Sequence, residues 1–369
     1  MGGHSVIETG DPTVVAAREP GTGLGRATTV ALVAMFLAIV LGAVMGLVHL
    51  PYAILQPGPA TNTLGNGPGG KPLITIAGKT YPTAGALDFT TVAVLGGPTN
   101  PVNGWQWITA RLDKTNQIVP EDELFPKGAT SEEIDHENAA EMAESQQEAI
   151  AVALRNLGEP VPQIVSIGAL TKTSPAKGVL LPGDVLVSID GKAATTPEAV
   201  RAAIRAHKPG ESAAITVRRG GKELPLTVKT IALEGQAAVG VLMRTSFVFK
   251  TKVSINAGDV GGPSAGLMFS LAIYDKLTPG PLNGGANVAG TGTIDSAGTV
   301  GEIGGIRQKL VGARRSKATW FLAPAGNCKQ VVGHVPAGLR VVKVATFTQA
   351  RDAVQAIAAK RAASLPTCT

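Results

Sequence analysis

The sequence predicts an α+β multidomain chain: a single N-terminal transmembrane helix, a β-rich domain in the middle and a C-terminal α/β domain. Three observations predict this. Residues 28–50 are apolar throughout, the roughly 20-residue length that crosses a bilayer. Between residues 161 and 232, short alternating segments are separated by Gly and Pro turns. From residue 233 onward, strand and helix patterns alternate, and a glycine-rich turn joins the first strand to an apolar helix.

Composition narrows the function classes. With 369 residues there is room for two or three domains and a substantial core. Charged residues make up only 16%, and the net charge is a mild +6. Lys and Arg are scattered and aromatics are 4%, so there is no basic stripe or stacking platform for nucleic acid. The basic balance fits solubility, with some attraction to anionic lipid.

Residues 1–27 read as a short polar, glycine-dotted tail on the cytoplasmic side. The apolar run after it is longer than a signal-peptide core and lacks a small-residue cleavage site, so it reads as an uncleaved anchor in the lipid bilayer. Arg18 and Arg26 precede it, whereas only His49 and Pro51 follow closely. Positive-inside logic therefore puts the N-terminus in the cytoplasm and everything after residue 50 outside it, with Glu8, Asp11 and Glu19 counting little. No other stretch is long enough to span, so a single pass is expected in the cell membrane.

Residues 51–160 form a membrane-proximal strand and helix region. Residues 52–64 are extended and broken by Pro and Gly; residues 73–77 and 87–95 read as strands. Residues 131–157 have helical spacing, with Ser131 and Glu133 at the start. The acidic cluster on this helix, Glu132, Glu133, Asp135, Glu137, Glu141 and Glu144, reads as a solvated face rather than a metal site.

Residues 161–232 read as strand 163–170, two strands around a turn after Leu181-Pro-Gly-Asp184, a helix from Pro197 to Ala206, and a hairpin closed at Gly220-Gly221. This pattern resembles a PDZ domain of the bacterial protease type. The resemblance implies a partner: an extended polypeptide, often a C-terminus, added to a sheet edge. It places the carboxylate-holding loop just before the first strand, near residues 160–164. A purely structural spacer is the alternative.

In residues 233–369, a strand at 247–255 leads into Asn256-Ala-Gly-Asp-Val-Gly-Gly-Pro-Ser264, and a helix follows from Ala265 to Tyr274. Pro263 suits the first helical position, which places Ser264 in the opening turn. There, unpaired backbone N–H groups can hold an oxyanion beside a nucleophilic hydroxyl; Gly262, Pro263 and Ala265 make up that turn. The plainer reading is a tight anion-binding turn.

A serine nucleophile needs a base. His4 and His49 flank the anchor, His136 lies in the acidic helix, His207 in a Lys/Pro turn and His334 in an apparent surface loop. Lys309 is the better candidate, at the start of a short amphipathic helix (residues 306–313) with apolar Ile306 and Leu310 beside it. Burial there lowers a lysine pKa. Strands at 318–323 and 339–344 and a helix at 348–359 complete an α/β pattern. Cys328 and Cys368 are the only cysteines, and outside the cytoplasm two thiols tend to pair; two unpaired cysteines are the alternative.

Gly262-Pro-Ser-Ala-Gly266, then Thr291-Gly, then Ile303-Gly-Gly-Ile-Arg-Gln-Lys309 resemble the proteolytic domain of Lon proteases, over roughly residues 240–358. The resemblance implies a Ser-Lys dyad in a serine endopeptidase, with Ser264 as nucleophile and Lys309 as general base. It also implies that the Thr291 hydroxyl helps to orient the lysine. Many members carry an acidic residue where this chain has Gly261; the glycine variant is similar to a membrane-anchored, ATPase-free branch. Nowhere does a Gly-x-x-x-x-Gly-Lys-Ser/Thr phosphate loop occur, so the expected peptidase works without ATP on unfolded or membrane-associated polypeptides, with no cofactor and no metal. Assembly into a homo-oligomer is implied, since relatives form rings. The alternative is a catalytically silent PDZ scaffold that binds exposed C-termini at the membrane.

Overall fold

The computed structural model describes residues 1–2 and 25–368. His4, Glu8, Asp11, Arg18 and Glu19 lie outside the described residues, and with them most of the expected cytoplasmic tail. Helix α1 (Arg26–Leu47) has no buried residue and is long and apolar enough to cross a membrane. His49–Leu50 pairs with Val102–Asn103, and after Pro51 the chain runs directly into strand β1 (Tyr52–Asn62). Strand β2 (Ala86–Leu95), helix α2 (Gly104–Leu112) and strand β3 (Gln117–Pro120) follow.

Helix α3 (Ser131–Asn156) starts at Ser131, where its sequence signal puts it. Thr130 is the cap, its hydroxyl accepting from the Glu133 N–H while Glu133 reaches back to the Thr130 N–H. The six acidic residues of its first half are exposed, whereas Ala149–Leu154 are all buried.

The middle of the chain is a separate antiparallel sheet. Strands β4 (Gln163–Leu170) and β5 (Val185–Ile189), helix α4 (Pro197–Arg205), strands β6 (Ser212–Arg219) and β7 (Lys222–Lys229), and strand β8 (Val241–Phe247) build it in the order β7-β6-β5-β4-β8. Its own core gathers Val165, Ile167, Leu186, Ile189, Ile204 and Ile215. The expected boundary at residue 232 is therefore too early, because β8 closes the sheet against β4. The strand expected over 247–255 is also divided: β8 ends at Phe247, and Val253–Ile255 pairs elsewhere, with Ile74–Ile76.

Helix α5 (Gly266–Leu277), strand β9 (Asn287–Gly290), helix α6 (Ile306–Arg315), strands β10 (Trp320–Pro324) and β11 (Arg340–Val344) and helix α7 (Phe347–Ala358) complete the fold. The second large sheet has the order β11-β10-β9-β2-β1-β3, parallel from β11 to β2 and antiparallel beyond.

Residues 51–160 are thus not a region apart. Their strands fill half of this sheet, and Leu87, Phe89, Ile150 and Leu154 share one core with Phe269, Leu271 and Phe347. Phe89 and Phe269 meet at 5.4 Å between ring centres. Burying each such side chain stabilises by roughly 1.5–3 kcal/mol. The β4–β8 sheet is an insertion between two halves of one domain. Cys328 and Cys368 are joined as a disulfide that ties the C-terminal tail to the turn after β10.

Candidate active site

Helix α5 begins at Gly266, so Pro263 is not its first residue and Ser264 stands in the turn ahead of it. That turn is clamped from two sides. From α3, the Asn138 carbonyl accepts the Gly262 N–H at 3.0 Å and the Ser145 hydroxyl donates to the Pro263 carbonyl at 2.9 Å. From the segment after β9, the Gly292 N–H (2.8 Å) and the Thr291 hydroxyl (2.9 Å) both donate to the Ser264 carbonyl. Thr291 is fully buried. The resemblance assigns its hydroxyl to the lysine; in the structure it holds the main chain of the serine instead.

Lys309 comes from α6, and two glycines set its height. Gly305, at φ +66°, begins the helix against Val92 of β2, where a Cβ would stand 2.6 Å from a valine methyl. About two turns further on along the same face, a Cβ on Gly312 would stand 2.6 Å from the Gly58 carbonyl oxygen at the bulge in β1. The helix consequently lies close against the sheet. The Lys309 Nζ donates to the Thr90 carbonyl at 2.6 Å and lies 2.8 Å from Ser264 Oγ.

Lys309 is only 3% exposed, and burial pulls its pKa down to about 7. No carboxylate among the described residues compensates for the lost hydration, so the neutral amine is well populated near pH 7.

The N–H groups of Ser264 and Ala265 have no acceptor among the described residues. They are free donors beside the hydroxyl. Of the other two residues expected to line an oxyanion site, Pro263 has no N–H and the Gly262 N–H is committed to Asn138.

A groove of about 620 Å³ opens over Ser264 and Lys309, walled by Leu55, Phe89, Thr90, Val92, Leu124 and Met142. His334 sits on an exposed loop beside the Val332 carbonyl, and His207 pairs with Asp190 in the inserted sheet at 2.7 Å. Neither makes a hydrogen bond to Ser264.

Three contributors were not legible in the sequence: the Thr90 carbonyl, Asn138 and Ser145. Two of them act through main-chain atoms, which carry no residue-type signal, and all lie more than a hundred residues from Ser264.

Residues 244–359 match the Lon protease (S16) C-terminal proteolytic domain, and residues 147–230 match the PDZ domain. The chain carries a Lon-type proteolytic domain. A Lon protease of Neorickettsia sennetsu is 35% identical over 114 residues, covering 29% of this chain and 14% of the relative. One of Frankia alni is 39% identical over 90 residues, 24% of this chain and 10% of the relative. The matches thus span about a seventh or less of these Lon proteases. A solved PDZ domain of an SdrC-like protein from Listeria monocytogenes aligns at 26% identity with a TM-score of 0.21, covering 21% of this chain and 85% of that one. Sheet pairing joins the strands Tyr52–Asn62, Ala86–Leu95 and Gln117–Pro120 to strands of the matched segment.

Proposed function

We propose that this protein is a membrane-anchored serine endopeptidase that hydrolyses polypeptides without ATP, using Ser264 and Lys309. The observation that carries the reading is the 2.8 Å contact between the Ser264 hydroxyl and a buried lysine amine whose pKa lies at about 7. In the proposed cycle, neutral Lys309 takes the Ser264 proton as Oγ attacks the scissile carbonyl. The negative oxygen is met by the N–H groups of Ser264 and Ala265. The Lys309 ammonium returns the proton to the leaving amine; neutral Lys309 then deprotonates a water that attacks the acyl carbonyl, and the ammonium protonates Oγ as the acid departs.

The PDZ domain would supply the substrate. The edge of β4 beside the expected carboxylate-holding loop, residues 160–164, is occupied by β8. Strand β8 is itself the end of the sheet, so peptide addition is assigned to β8. A groove of about 530 Å³ runs between β8 and α3 and is lined by Glu141, which also lines the groove over Ser264. A peptide laid along β8 therefore has a short path to the serine.

We read the one apolar helix of spanning length among the described residues as the anchor, and the positive-inside rule would then put both domains outside the cytoplasm. The test is cleavage of an unstructured polypeptide by the full chain in detergent, without ATP. Loss of cleavage in both Ser264→Ala and Lys309→Ala supports the reading, and cleavage that survives in either variant refutes it.

A further inference from the structure

Of all the residues in α1, only Gly42 and Met45 are half-buried, and both meet α2. The Trp105 indole N–H donates to the Gly42 carbonyl at 3.0 Å, and a Cβ on Gly104 would stand 2.3 Å from the Met45 side chain. Gly42 lies five residues before the end of α1, about 8 Å below it at 1.5 Å per residue. The headgroup layer on each face of a bilayer is roughly 5–8 Å thick. Trp105 is thus held at or beneath the level of the headgroups.

The rest of α2 fits that depth. Trp107 and Ala110 pack inward with Ile54, Val102 and Ile118. Trp105, Thr109 and Leu112, spaced as one helical face, turn away from that core; Trp105 is 50% exposed and Leu112 78%. Arg111 and Lys114, also exposed, flank the face with positive charge. Tyr52 lies 6.4 Å from Trp107, which adds a third amphipathic ring of the kind that settles at a membrane boundary.

We propose that α2 lies in the outward-facing interface of the bilayer, with Trp105 and Leu112 among the lipids, and seats the proteolytic domain on the membrane surface. This rests on the reading of α1 as a membrane span. The chain leaves α1 at Leu47, and β1 begins at Tyr52, with the intervening His49–Leu50 already paired to the strand that leads into α2. A seated α2 therefore fixes the catalytic sheet relative to the bilayer.

The test uses the full chain in phosphatidylcholine/phosphatidylglycerol vesicles. The Trp107→Phe, Trp320→Phe double variant leaves Trp105 as the sole tryptophan. Phospholipids brominated high on the acyl chain should quench at least half of its emission, whereas Trp320 alone, in the matching double variant, should be unaffected. Should the tryptophan variants fail to fold, a nitroxide on Leu112→Cys gives the same answer. It should collide more often with oxygen than with a water-soluble nickel chelate. Emission indifferent to brominated lipid, from a chain that still resists alkaline carbonate, would overturn the proposal and leave the membrane span standing. Release of the whole chain by carbonate would overturn both.

Discussion

A Cβ placed on Gly261 would stand 2.7 Å from the Cβ of Asn138, so the turn ahead of Ser264 and helix α3 meet with no room for a side chain. This is a physical reason for glycine where many Lon proteases carry an acidic residue. Gly261→Ala should push α3 away and loosen the Gly262 N–H bond to the Asn138 carbonyl, lowering kcat/KM about tenfold, the rate equivalent of ~1.4 kcal/mol. Steady-state kinetics on an unstructured substrate would check this, and Asn138→Gly in the same chain should recover much of the loss.

Thr291 acts on the serine backbone. Thr291→Val removes one of two donors to the Ser264 carbonyl while Gly292 keeps the other, a net cost of about 1 kcal/mol. Activity should fall several-fold through kcat, Thr291→Ser should restore it, and the midpoint of the pH–rate profile should not move. A moved midpoint would return the threonine to the lysine, as the family resemblance has it.

Along β8, hydrogen bonds to β4 are made by alternate residues, with Val248 donating to the Pro162 carbonyl. Thr245, three residues back, therefore turns its N–H to the open edge. Thr245→Pro should leave the sheet intact but remove a donor for an added peptide. Isothermal titration with a C-terminal peptide that binds the unaltered chain should show at least tenfold weaker binding, with Tm little changed.

The disulfide closes a loop across a sequence separation of 40 residues. By chain entropy, its removal in Cys368→Ser should cost about 4 kcal/mol at most. Thermal unfolding of the full chain with and without reductant should show the same fall in Tm, and cleavage at 25 °C should persist.

Local features were legible because local sequence dictates them. The apolar run gave α1, the glycine-proline turn before an apolar helix gave Ser264 its setting, and the spacing of Ile306, Lys309 and Leu310 gave α6 its buried face. Long-range strand pairing was not legible. Nothing in residues 86–95 announces that they lie between a strand starting at 52 and another starting at 287: the second pairing is parallel and leaves no turn signal, and the first, though antiparallel, is closed by a long connection instead of a tight turn. The Thr90 carbonyl that holds Lys309 was hidden for the same reason, and Pro263 misled because its favoured place at a helix start is a preference that the α3 clamp overrides.

The central claim is that Lys309, neutral because it is buried, takes the proton from Ser264. The direct measurement is kcat/KM of the full chain for an unstructured peptide from pH 5 to 9. The base is active only when unprotonated, and burial has lowered its pKa to about 7. The rate should therefore rise about tenfold per unit at low pH and level off above pH 7. Lys309→Met should abolish cleavage across the range. A flat profile, or cleavage that persists in Lys309→Met, would contradict the account.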